Sequence, residues 1–177
     1  MDIKDLIEYN WYSRRMFLDS FKKLPWKAVV EDRGASFGSI RNIFLHGLEA
    51  EEGFFMHLAS GKIGEWPSHD YDREFRDIDA MRKYMEDVEG KGRAYLKKLG
   101  PKEMDKLFPV SWFKKSFRVE DVLMGVVGEC IYHNGEIMSL MWQIDAEPPY
   151  KDYLGYLLET GKRERKGIQK KKTRIRE

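Results

Sequence analysis

The longest helical pattern in the chain runs from Val119 to Gln143, where apolar residues recur at Val119, Val122, Val126, Cys130, Ile137, Leu140 and Met141. That spacing of three and four marks one face of a helix. Two ionisable residues, Glu129 and His133, fall inside the stripe. Four positions apart, they stand one turn above the other with Cβ atoms roughly 6 Å apart, on a face expected to look into a core. A carboxylate so placed needs a compensating partner. A bound cation supplies one, and so does a buried Glu–His ion pair or a water-filled pocket; this helix alone leaves both open.

Three further segments carry the same period. From about Asp2 to Leu24, Ile3, Leu6, Ile7, Phe17, Phe21 and Leu24 define a first helix that ends at Pro25, with Asn10 and Arg14 inside its stripe. Asn10 there reads as a core hydrogen-bonding residue. A second helix, capped by Ser36, continues to Gly61 and buries Ile40, Ile43, Phe44, Leu48, Phe54, Phe55 and Leu58. His46 lies at the edge of that side, where a lone histidine is an ordinary boundary residue. His57 follows eleven residues later, on nearly the same face but roughly 16 Å along the axis, so the two histidines cannot share one ion. A third helix, from about Asp77 to Leu99, shows a heptad of Ile78, Met81, Met85, Val88, Gly92, Tyr95 and Leu99, for which core packing is a sufficient explanation.

The connections are distinct from these. Lys62 to Arg73 has turn chemistry throughout and contains His69, expected to be exposed. Lys102 to Arg118 mixes aromatic and basic residues; it reads as a short hairpin or an ordered loop clamped over the end of the helices by Phe108, Trp112 and Phe117, rather than as a nucleic-acid surface. After Pro148 and Pro149 a short helix turns Tyr153, Tyr156 and Leu157 inward. Four long amphipathic segments without a convincing strand pattern predict an all-α fold. The expected architecture is a four-helix bundle with a long connection between helices 2 and 3 and a short C-terminal helix.

Composition narrows the class. A chain of 177 residues with ten Phe, nine Tyr, five Trp and nine Met fills a single domain with a sizeable core. The single cysteine, Cys130, excludes an internal disulfide and fits a reducing compartment. The start MDIKDLIEYNW lacks the pattern of a signal peptide, and no segment reaches the apolar length of a membrane span, so a cytoplasmic protein is expected. Net charge is only +2, yet Lys162 to Glu177 holds nine Lys or Arg against two Glu, leaving the body net acidic. Residues 1–161 are therefore expected to form the domain and 162–177 a basic, solvated tail; nucleic acid is an expected partner only through that tail.

The segments YNWYSRRMF, SFGSIRNIFLHGLEAEE, VEDVLMGVVGECIYHNGEI and PPYKDYLGYL, in this order and spacing, resemble the DinB (YfiT-like) superfamily over nearly the whole chain up to about Gly161. The resemblance implies a four-helix bundle with a divalent metal, zinc or nickel, held by one residue of the second helix and two of the fourth. Carried over residue by residue, it assigns the metal to His46, Glu129 and His133. Glu129 stands where the usual pattern has histidine, and Asn134 and Glu136 replace an arginine and a glutamine, which implies different roles around the ligands. Two histidines and a carboxylate remain a sound open set for a catalytic ion. A metal-dependent hydrolase or a thiol-dependent transferase is then expected, acting on a small-molecule substrate, with a thiol cofactor in the second case, and a homodimer is compatible. The contrasting expectation is a non-catalytic dimerising or small-molecule-binding bundle in which the three residues form a metal-free polar cluster. Glu51 and Tyr132 are near the ligands in sequence only.

Overall fold

Side-chain oxygens set the starts of three long helices. Asp2 accepts from the Lys4 amide at 3.0 Å to begin α1 (Ile3–Phe21), Ser39 from the Asn42 amide at 3.1 Å to begin α3 (Ile40–Ser60), and Asp77 from the Ala80 amide at 2.8 Å to begin α5 (Ile78–Leu96). The cap of α3 is therefore Ser39 and not Ser36. Gly38 precedes it at φ 80°, a left-handed turn that glycine adopts without strain, so the helix cannot start before it. Gly61 closes α3 at φ 76°.

The computed structural model describes residues 2–162, so the expected basic tail lies, apart from Lys162, outside the described residues. Between the long helices come α2 (Trp26–Val30), α4 (Tyr71–Glu74) and α6 (Pro101–Met104). A hairpin of β1 (Leu107–Val110) and β2 (Lys115–Arg118), paired antiparallel with Leu107 opposite Arg118, leads directly into α7 (Val119–Trp142), and α8 (Tyr153–Thr160) ends the described chain. The protein is mostly helical, with a small two-stranded sheet that is the hairpin alternative left open for Lys102 to Arg118. Phe108 is buried as expected, whereas Trp112 at the hairpin turn stays 49 % exposed, its ring meeting Phe54 of α3 and Trp66. Among the described residues no helix is long and apolar enough to cross a membrane.

Two apolar clusters fill the interior. One gathers Phe17, Leu18 and Phe21 of α1, Ile40 to Leu48 of α3, Met81, Met85 and Val88 of α5, and Ile137, Leu140 and Met141 of α7. The other gathers Ile3, Ile7 and Trp11, Phe55 and Leu58, Leu96, and Val119, Val122, Leu123 and Val127 of the same four helices, with Phe108 and Val110 of the hairpin. Helices α1 and α7 thus run one way and α3 and α5 the other, and residues 61–77 must travel the length of the fold. The main helix contacts are α3 with α7 and α5, and α1 with α7 and α5. Gly92 makes the α5 approach close: a Cβ there would meet Phe55 at 2.6 Å and Trp11 at 2.7 Å.

Between the clusters lies a buried polar layer. Arg14 donates to Glu51 Oε2 at 2.8 Å, to the Gly47 carbonyl at 3.1 Å and to Cys130 Sγ at 2.7 Å, while Trp11 Nε1 donates to Glu51 Oε1 at 2.7 Å. Burial disfavours the guanidinium charge, but Cys130 and Glu51 outweigh it and hold Arg14 above its ordinary pKa. Burial pushes the Cys130 thiol up to about 12 although Arg14 pulls the other way. Every oxygen of Glu51 is thereby satisfied inside the core.

Candidate metal centre and its pocket

His46 and His133 come from α3 and α7, the most closely packed pair, and their rings stand perpendicular with centroids 5.1 Å apart. His133 is buried; His46 is half-buried, with Phe37 stacked on its ring at 3.7 Å. Burial first, and then the neighbouring His133, lower the His46 pKa, which favours the neutral imidazole that a metal ligand requires.

The His133 ring has a carboxylate near each nitrogen, and only the one at Nδ1 is within hydrogen-bond distance. Nδ1 lies 3.3 Å from Glu136 Oε2, and Nε2 lies 3.6 Å from Glu129 Oε2. Glu136 is itself fixed, accepting from the Ser36 amide at 2.8 Å and the Ser36 hydroxyl at 2.7 Å. Burial alone would raise the Glu136 pKa; the Ser36 bonds and His133 overcome it and keep the carboxyl below its usual range. A carboxylate on Nδ1 is the arrangement that orients a histidine to present Nε2 to a metal. Glu136, expected only to differ from the family's glutamine, supplies that orientation.

Glu129 departs from the sequence reading. Its side chain is 60 % exposed, because the buried face of α7 centres on Leu123, Val126, Val127, Cys130, Ile137 and Met141 and Glu129 sits on its border. Among the described residues no group of three or more His, Cys, Asp or Glu side chains stands in position to hold an ion. The donor chemistry still fits a divalent cation: two imidazoles on facing helices, one already oriented by Glu136, and an exposed carboxylate beside them with room to turn.

Glu51 is consumed by Arg14 and Trp11, and Tyr132, 75 % exposed, stands edge-on to the His133 ring at 5.9 Å. His57 lies apart, buried, accepting from the Gly64 amide at 3.2 Å. His69 is not free in solvent as expected: it packs on Phe75 and Tyr84 and its Nδ1 is 2.8 Å from Glu74. The reason is that α4 folds the connection back onto α3 and α5.

His46 and Glu129 open into a cavity of about 590 Å³ whose walls include Glu49, Phe54, Trp66, Pro67, Trp112 and Phe113. Phe54 is therefore half-buried at a pocket wall and not a core residue. Trp66 lies flat over Gly53, where a Cβ would come within 2.3 Å of its ring, and His57 stands perpendicular to it at 4.6 Å. Neither Trp66 nor Trp112 was singled out as a wall from the sequence, since nothing local says that two connections meet over α3. Gly53, a glycine inside a helix, was the one signal.

No curated protein matches the sequence. The DinB family model matches residues 1–169, spanning all four long helices, the His46–His133 pair and the walls of the cavity beside it. The chain belongs to the DinB family.

Proposed function

We propose that the protein is a DinB-type four-helix bundle that binds a divalent metal through His46, Glu129 and His133 and acts on a small molecule in the adjoining cavity. The observation that carries the reading is the oriented pair: perpendicular imidazoles 5.1 Å apart, one with its Nδ1 held by a carboxylate that Ser36 locks in place. A divalent ion, zinc or nickel, supplies positive charge that lowers the pKa of a bound water or thiol, the basis of hydrolysis and of thiol transfer respectively.

The chain's own residues divide the remaining work. Glu136 keeps the His133 proton on Nδ1. Phe37 covers one face of His46 and limits its rotation. Phe54, Trp66 and Trp112 keep water from one side of the cavity and hold an apolar portion of the substrate. The free, buried Cys130 accords with a reducing, cytoplasmic location.

Elemental analysis of untagged protein grown with mixed trace metals tests the reading, alongside Glu129→Ala and His133→Ala. The expected result is close to one equivalent of a divalent ion in the parent, little in either variant, and a melting temperature that falls on chelation in the parent alone. Hydrolysis and thiol-transfer assays on the loaded protein then separate the two chemistries. A metal-free parent that gains no stability from zinc or nickel overturns the reading in favour of a non-catalytic bundle.

A further inference from the structure

The cavity beside the histidines has an unusual balance of walls. Phe54, Trp66 and Trp112 meet in a corner, with ring centroids 5.1 Å apart for Phe54 and Trp66, 6.0 Å for Trp66 and Trp112, and 6.4 Å for Phe54 and Trp112. Phe113 extends the corner 6.1 Å beyond Trp112. These rings are far from hidden: Trp66 is 41 %, Trp112 49 % and Phe113 61 % exposed. Exposed aromatic side chains gathered at one concavity mark a binding surface.

The charge at this corner is negative and uncompensated. Glu49 lines the cavity with its carboxylate held by two neutral donors, the His69 amide at 3.0 Å and the Tyr71 hydroxyl at 2.6 Å. No Lys or Arg is among the residues lining the cavity, and none pairs with Glu49 among the described residues. Glu129 adds a second carboxylate to the lining, which a metal would consume, leaving Glu49. Asp121, in the smaller cavity that shares Phe54, Trp112 and Phe113, is already paired with Arg118 at 2.8 Å.

Aromatic faces and an unpaired carboxylate attract the same kind of ligand. We propose that the cavity selects a small organic cation, its ammonium head against Trp66, Trp112 and Phe54 and countered by Glu49, with the remainder reaching toward His46 and Glu129. A ring quadrupole stabilises a cation at its face, and the effect grows as water is excluded. An anionic group at this corner would meet Glu49 and no Lys or Arg among the residues that line the cavity. This inference rests on the cavity being the substrate end of the proposed metal site, and it names the substrate class for that site.

The test is calorimetric titration of the full-length protein, metal-loaded and chelated, with choline, its neutral isostere 3,3-dimethyl-1-butanol and the anionic 3,3-dimethylbutanoate. Choline is expected to bind at least tenfold more tightly than either, with a Glu49→Gln variant losing that preference and Trp112→Ala losing binding to all three. Gly125 lines the cavity on α7 with nothing within 4 Å of an added Cβ, so Gly125→Leu should fill the space and abolish binding at an unchanged melting temperature. His133→Ala separates the two readings: it removes the metal and leaves the choline preference intact. Equal binding of choline and the neutral alcohol, tighter binding of the carboxylate, or full choline binding by Gly125→Leu each overturns the inference, whatever the metal content proves to be.

Discussion

Two clusters sit on the same pair of helices less than one turn apart, and they differ in what surrounds each carboxylate. Glu51 on α3 and Cys130 on α7 face inward, where Arg14 and Trp11 satisfy Glu51. Glu49 and Glu129, two positions and one position away in sequence, line the cavity, and among the described residues no Lys or Arg is bonded to either. The closed cluster has no open valence and therefore holds the helices together. The open one has charge and lone pairs left over, which is what a ligand or an ion requires.

The comparison breaks most sharply at Glu51. Replacing it with alanine strands the Arg14 guanidinium in the core, and a loss of about 3–5 kcal/mol is expected in denaturant unfolding. Glu129→Ala, on the open side, should cost less than about 1 kcal/mol in the absence of metal. Equal losses from the two substitutions would erase the distinction drawn between them. The double variant Arg14→Met with Glu51→Leu should recover most of the stability, because it removes both charges at once.

Packing around the closed layer comes next in size. Gly92→Ala forces a Cβ into Phe55 and Trp11 and should destabilise by about 1–3 kcal/mol, although alanine is the better helix former. An unchanged unfolding midpoint would show that α5 can shift without cost.

On the open side, Glu136→Ala frees the His133 ring from its orienting carboxylate. Metal affinity measured by competition with a chromogenic chelator should fall about 10- to 100-fold, with the fold intact by circular dichroism. Ser36→Ala, which removes one of the bonds to Glu136, should act in the same direction and more weakly.

The effect expected only at alkaline pH is the titration of Cys130. Its ordinary pKa near 9.0 is raised to about 12 by burial, so between those values the folded state keeps a proton that the unfolded chain has lost. Stability is fully present below pH 9 and declines as pH rises toward 12, by on the order of 1.4 kcal/mol per pH unit at most. Cys130→Ala should flatten that alkaline slope in parallel unfolding curves. At neutral pH the native thiol should react with thiol reagents far more slowly than in denaturant.

Much of the helical framework could be read directly. Heptad and three-four spacing located α1, α3, α5 and α7, and Gly61 and Pro25 marked ends that the structure places within a few residues. The likeness to the DinB family came from residues distributed along the whole chain, and the family match bears it out. The hairpin was less legible: four-residue strands carry too little alternation to choose between the hairpin and the loop that the sequence left open. Ser36 was given a helix-capping role, and instead it reaches a carboxylate 100 residues away.

Local periodicity, capping chemistry and the pairing of His133 with Glu129 one turn earlier were determined by the sequence alone, because each depends on residues within one or two turns of a helix. Which of two adjacent side chains faces the core was decided by tertiary structure. Cys130 and Glu129, or Glu51 and Glu49, differ in surroundings only once α1 brings Arg14 to one side and the connections bring Trp66 and Trp112 to the other. A helix pattern fixes angle along one axis; burial depends on what arrives from elsewhere in the chain.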